Sequence, residues 1–221
     1  LSCILIWQII ITNSITLSTT AGQNVTGQAG ADTLVVAQTT TYTGTLALAG
    51  GTNVVTLVTG ANLGSATLTA TGGTINFTIA SGGSVTMSIA QNTLMVTGTL
   101  TAAGTEQITL SDAGTATGDA IVETYVLAAG TNTFTLGAAA QNVTGGTGAD
   151  SVNIGGLTAT GTYALSTGAD TLVATTGANI SGVNSGSATT AETLNLTGGI
   201  TMTVAQHNGF TTAITAVGGS D

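Results

Sequence analysis

The chain lacks lysine, arginine and proline altogether, and it has one cysteine, one histidine and one tryptophan. Each absence removes a class of function. Without cations, nothing can replace the counterions of a nucleic-acid backbone, clamp a phosphate, or hold the chain on an anionic membrane surface. With only Cys3, no internal disulfide can form. Charged residues make up 4% of the chain and all nine are acidic, giving a formal net charge of -9. Aromatics make up 3%, so the apolar 42% is mostly small and aliphatic, interleaved with threonine and 33 glycines. That balance is too hydrophobic for a disordered chain and suits a regular, repetitive β structure. The apolar run from Leu1 to Ile11 lacks the basic start of a signal peptide and is too short to span a bilayer as a helix. Its β-branched character predicts a buried strand instead.

Internal repetition organises the rest. Gln23-Asn24-Val25-Thr26-Gly27 with Ala31-Asp32 returns as Gln141-Asn142-Val143-Thr144-Gly145 with Ala149-Asp150, a shift of 118 positions. Gly60-Ala61-Asn62-Leu63 answers Gly177-Ala178-Asn179-Ile180, and Thr86-Met87-Ser88-Ile89-Ala90-Gln91 answers Thr201-Met202-Thr203-Val204-Ala205-Gln206. The expected division is residues 1–22 as the strand-rich end of a preceding repeat, 23–140 as one full unit and 141–221 as a partial second unit. Such ends are those expected of a piece of a longer array.

A finer rhythm runs inside the long unit. Gly, any residue, Asp or Asn, any residue, then an apolar residue recurs at Gly30–Leu34, Gly51–Val55, Gly130–Phe134, Gly148–Val152 and Gly168–Leu172. Glycine supplies the turn, Asp or Asn accepts from turn amides, and the apolar residue starts an inward-facing strand. Period-two alternation over Thr67–Thr71, Thr74–Ile79 and Val85–Ile89 agrees, and helix signals are weak throughout. The predicted fold is all-β: a β-solenoid of the parallel β-helix or β-roll kind, with roughly 20 residues per coil. Val25, Leu34, Val143, Val152, Leu172 and Leu194 are predicted to point inward, and Asp32 and Asp150 to occupy equivalent turns. A stack of coils exposes unpaired strand edges at its ends, so continuation or self-association is expected, with Ile4–Ile11 as the segment hidden in the contact.

The sharpest motif is Gly145-Gly146-Thr147-Gly148-Ala149-Asp150-Ser151-Val152-Asn153, which fits the nonapeptide pattern of calcium-binding β-rolls at every specified position. Gly27–Val35 fits with Gln28 in place of one glycine, and Gly168–Leu172 keeps the latter half. Asp32, Asp150 and Asp170 are therefore the candidate metal ligands, since calcium takes carboxylate and carbonyl oxygens. Plain turn capping is the alternative, because the motifs are isolated and Asn53, Asn62, Asn132 and Asn179 stand where Asp would be expected.

These motifs, together with Ala191-Glu192-Thr193-Leu194-Asn195-Leu196, His207-Asn208-Gly209-Phe210 and the Thr/Gly/Ala bias, resemble the repetitive regions of bacterial S-layer and RTX-type surface proteins exported by type I secretion. The resemblance covers residues 22–221 in style and a few segments in motif. It implies an extracellular structural protein at the cell surface, a lattice or filament subunit folded as a β-solenoid. Its partners would be copies of itself and cell-surface polysaccharide, with calcium assisting folding or assembly. Catalysis has no support: His207 has no nucleophile and orienting group around it, and Glu106, Asp112, Asp119 and Glu123 read as scarce solubilising charge rather than an acid pair or second calcium site. The chain is expected not to be an enzyme. The alternatives are an ice-binding module, on the strength of Thr-x-Thr at Thr67–Thr71, Thr133–Thr135 and elsewhere, or an adhesin stalk.

Overall fold

A computed structural model describes residues 8–11, 14–17, 22–37, 39–183 and 192–216, with side chains from residue 14 onward. Residues 4–7 of the expected buried segment, and the side chains of residues 8–11, lie outside the described residues. The chain divides into two compact units, Leu1–Glu106 and Gln107–Asp221.

Each unit is a β-solenoid whose strands pair in parallel with the strand one coil away. In the first unit one sheet stacks Gln8–Ile11, Asn24–Gly27, Thr45–Leu48 and Thr67–Ala70. The other stacks Ser14–Leu17, Thr33–Val36, Gly51–Leu57, Gly73–Ile79 and Leu100–Thr101. In the second unit Gln107–Leu110, Thr124–Val126, Asn142–Thr144 and Tyr163–Ala164 form one stack. Thr115–Thr117, Asn132–Thr135, Asp150–Gly155, Thr171–Ala174, Thr193–Leu196 and Ala213–Ala216 form the second. Partners along that second stack lie 18 residues apart at Asn132↔Asp150, 20 at Ser151↔Thr171 and 22 at Thr171↔Thr193. These values bracket the coil length read from the glycine rhythm.

In-register parallel pairing places like positions above one another, so the period-two alternation of each strand becomes columns. Val25, Leu34, Val143, Val152, Leu172 and Leu194 are all at most 1% exposed, as their inward assignment requires. Ala116, Phe134, Val152, Leu172 and Leu194 form one continuous interior column. Among the described residues, five aromatic rings lie inside and Phe210 is half-buried. Tyr42, Phe77, Tyr125, Phe134 and Tyr163 are fully buried, and Tyr125 and Phe134 meet with ring centroids 4.7 Å apart.

Two short helices interrupt the strands among the described residues: α1, Ile89–Thr97, and α2, Val204–Gly209. Weak helical periodicity gave no reason to expect them, and Val85–Ile89 read as one strand. It is a strand only through Met87, because Ser88 starts α1 with a capping box in which its hydroxyl accepts from the Gln91 N–H and the Gln91 side chain accepts from the Ser88 N–H. Thr203 and Gln206 repeat this at α2. The duplicated Thr-Met-Ser/Thr-x-Ala-Gln phrase is thus a helix start. Its glutamines do a second job: Gln91 Nε2 donates to the Leu63 and Ala66 carbonyls, and Gln206 Nε2 to those of Ile180 and Val183, one coil back.

Replacing Gln91 with alanine removes half the capping box, takes its donor from the Ala66 carbonyl and leaves the Leu63 carbonyl with the Ala66 N–H. It should cost about 2–4 kcal/mol, read as faster amide hydrogen exchange at residues 61–67 and a lower urea midpoint.

Candidate functional site

Asp32 and Asp150 sit at equivalent corners, as the 118-residue shift requires. Asp32 immediately precedes the strand Thr33–Val36, and Asp150 is the first residue of Asp150–Gly155. Each backbone N–H donates to the side chain one coil further on, Asp32 to Asn53 Oδ1 at 3.0 Å and Asp150 to Asp170 Oδ1 at 2.8 Å. Gly27 and Gly145, five residues earlier, play equal parts. A Cβ at Gly145 would lie 2.5 Å from Asp150 Oδ2, and one at Gly27 would meet Asp32 Oδ2 in the same way. The carboxylate therefore folds back over a glycine that must have no side chain.

The remaining glycines of the nonapeptide are accounted for by coil stacking. A Cβ at Gly146 would collide with the Ala128 carbonyl, and one at Gly148, where φ is +127°, with that of Gly130. Both contacts are with the preceding coil, so the spacing of the motif follows from close backbone approach.

In the second unit the corner residues form a column, Asn132, Asp150, Asp170 and Glu192, one per coil. Each accepts from the coil before it: Asn132 Oδ1 from Gly114 N–H at 3.2 Å, Asp170 Oδ1 from Asp150 N–H at 2.8 Å, and Glu192 Oε2 from Asp170 N–H at 2.7 Å. Asn132 Nδ2 donates to Asp150 Oδ1 at 2.7 Å. Asp150 and Asp170 are 1% and 0% exposed, and the second oxygen of each, like that of Asp32, has no hydrogen-bond partner. Burial pushes both carboxyls above the ordinary Asp range. The Asn132 amide and the backbone N–H groups of Asn132 and Gly146 pull Asp150 partly back. The backbone N–H of Asp150 does the same for Asp170, while the charges of Glu192 and Asp150 push Asp170 further up.

The three aspartates proposed from sequence are thus all at coil corners, with Asp150 and Asp170 adjacent and Asp32 in the other unit. For a calcium ion the fit is partial. Each aspartate offers one unpartnered oxygen, but no group of three or more His, Cys, Asp or Glu side chains gathers as a metal cage among the described residues. Carbonyls would have to complete the coordination, and those of Ala128 and Gly130 already accept from Asn132 Nδ2.

The other acids are scattered. Asp112 is exposed, Asp119 caps its own turn by accepting from Ile121 N–H at 3.0 Å, and Glu106, 1% exposed, accepts from Gly82 N–H at 3.0 Å. His207 is exposed on α2, with its Nδ1 3.3 Å from Asn208 Oδ1. A groove of about 170 Å³ beside α1, lined by Ala70, Thr74, Ile75, Leu94 and Thr97 among others, holds no titratable group. The corner role of Asn53 and Asn132 was readable as turn chemistry, but the stacking of Asp150 on Asp170 and Glu192 was not. Chain spacing there varies with coil length, so only the register reveals it.

Compared with family models, with curated proteins and with solved structures, the chain matches none.

Gly145→Ala should destabilise the second unit by about 2 kcal/mol or more, because the new methyl meets a buried carboxylate and the Leu165 carbonyl. Gly177→Ala, at φ +86° with nothing within 4 Å, should cost only about 1 kcal/mol of backbone strain. Paired urea titrations check the ranking.

Proposed function

We propose that the chain is a structural β-solenoid segment of an extracellular surface protein, built to stack on further coils of its own kind in a lattice or filament, and not an enzyme. The observation that supports this most directly is at Ala213–Ala216. This strand pairs with Thr193–Leu196 on one edge, and no partner on its other edge is seen among the described residues. Ile214 continues the interior column after Leu194, yet it is 37% exposed where Leu194 is 0%. An aliphatic core position and a row of strand amides are both left uncovered, and another coil is the structure that satisfies both at once. The scarcity of charge supports the same reading, since the chain has no lysine, arginine or proline with which to blunt an edge.

On this reading calcium would be held at the corners by Asp32, Asp150 and Asp170, supplying the positive charge that the sequence lacks. Cell-surface polysaccharide is the further partner that the S-layer likeness suggests. A second reading, attachment to a regular surface such as ice, draws on a different observation. Thr115, Thr133, Ser151, Thr171 and Thr193 form one outward column, with Thr117, Thr135 and Asn153 beside it. Register thus aligns hydroxyls whose spacing along the chain is uneven.

Sedimentation of the 221 residues should show concentration-dependent association, weakened by Ile214→Asp and by chelation of calcium. A well-folded monomer under all conditions would reject the assembly reading. Growth-arrest of ice crystals, abolished by Thr133→Tyr, would then favour the hydroxyl face.

A further inference from the structure

Two strands of this chain have one free edge each and nearly the same sequence. Ser14–Leu17 begins a stack of the first unit: it pairs with Thr33–Val36 and has no partner on its other side among the described residues. Ala213–Ala216 ends a stack of the second unit in the same way, paired with Thr193–Leu196 alone. The two read Ser-Ile-Thr-Leu and Ala-Ile-Thr-Ala. Each also leaves open an interior position that its neighbour seals. Ile15 is only half-buried where its partner Leu34 is fully buried, and Ile214 is exposed where its partner Leu194 is fully buried. The free edges differ in direction. Strands join both stacks in chain order, so the bare edge of Ser14–Leu17 faces back from the start of its stack, and that of Ala213–Ala216 faces forward from its end.

We infer that these two edges are the halves of one contact, through which a second copy of this chain docks head to tail, Ser14–Leu17 of one copy lying parallel and in register on Ala213–Ala216 of the other. The inference rests on the assembly reading and narrows it from stacking in general to one pair of strands. In this register Ile15 covers Ile214, Thr16 lies beside Thr215, and Leu17 meets the small Ala216. Like already stacks on like within both units, as at Leu46↔Leu68, Thr45↔Thr67 and Leu172↔Leu194. Threonine pairs across neighbouring strands are favourable, and like charges there are not. Neither strand carries a charge, so the net charge of -9 does not gather at the contact. Glu192, on the coil behind Ala213–Ala216, turns its Oε2 to the Asp170 N–H one coil further back. Two like ends meeting about a twofold axis would run their strands antiparallel and break the columns. The contact is therefore heterologous, and repetition of it builds a filament rather than a closed dimer.

The test uses the full chain with Cys3→Ser as background, which removes the single native thiol. Stacked strands stand about 4.8 Å apart, so Thr16→Cys in one copy and Thr215→Cys in another come within reach of a short bifunctional thiol reagent. Both threonines are exposed, so neither substitution disturbs the interior. A mixture of the two single variants should give a linked dimer, and a variant carrying both cysteines a ladder of linked oligomers, while each single variant alone stays unlinked. Sedimentation supplies the second measurement. Ile15→Asp and Ile214→Asp should each lose association alone, and their equimolar mixture should restore dimers and nothing larger, because each retains one sound end. Association of the parent without linking in the cysteine mixture, or linking of either single variant to itself, would overturn the head-to-tail contact and leave the assembly reading standing. A parent that stays monomeric overturns both. Should either aspartate variant fail to fold, the cysteine mixture decides alone.

Discussion

Every feature of this molecule answers to one constraint: coils stacked in parallel and in register must satisfy their polar groups from the coil above and the coil below. Along the strands the backbone does this by itself. At the corners, where the chain turns and the ladder breaks, side chains must finish the pairing, and a buried group left over costs roughly 1–3 kcal/mol. Two devices meet that demand. Asparagine, aspartate and glutamate side chains accept from the preceding coil at one corner, as in Asn53, Asn132 and Asp170. Glutamine amides reach back to pairs of carbonyls at another, as in Gln91, Gln141 and Gln206. Glycine lets the backbones approach closely enough for both.

The scarcity of charge gives the first device its tension. Of the acids among the described residues, Asp32, Glu106, Asp150 and Asp170 are buried, an expensive placement in a chain with no lysine or arginine to pair with them. An asparagine in the same corner both accepts and donates, as Asn53 does, whereas an ionised aspartate can only accept. The glycines around these corners serve close coil stacking, as at Gly146 and Gly148. The functional reading draws on the opposite end of the polarity scale, the uncovered Ile214, whose column is elsewhere sealed.

The solenoid is legible in the chain alone, because turn chemistry and period-two alternation are local: Gly-x-Asp/Asn-x-apolar fixes a corner and the strand after it wherever it occurs. So are the inward set from Val25 to Leu194 and the equivalence of Asp32 with Asp150. Which residues share a column emerges from the strand register, since coil lengths of 18, 20 and 22 residues hide the alignment of Asn132, Asp150, Asp170 and Glu192 and of the outward hydroxyls. The two helices fell between these cases. Ser88-x-x-Gln91 and Thr203-x-x-Gln206 are local capping signals, but the residues after them lack helical periodicity, and it is the glutamine bonds to the preceding coil, invisible in the linear chain, that hold each helix in place.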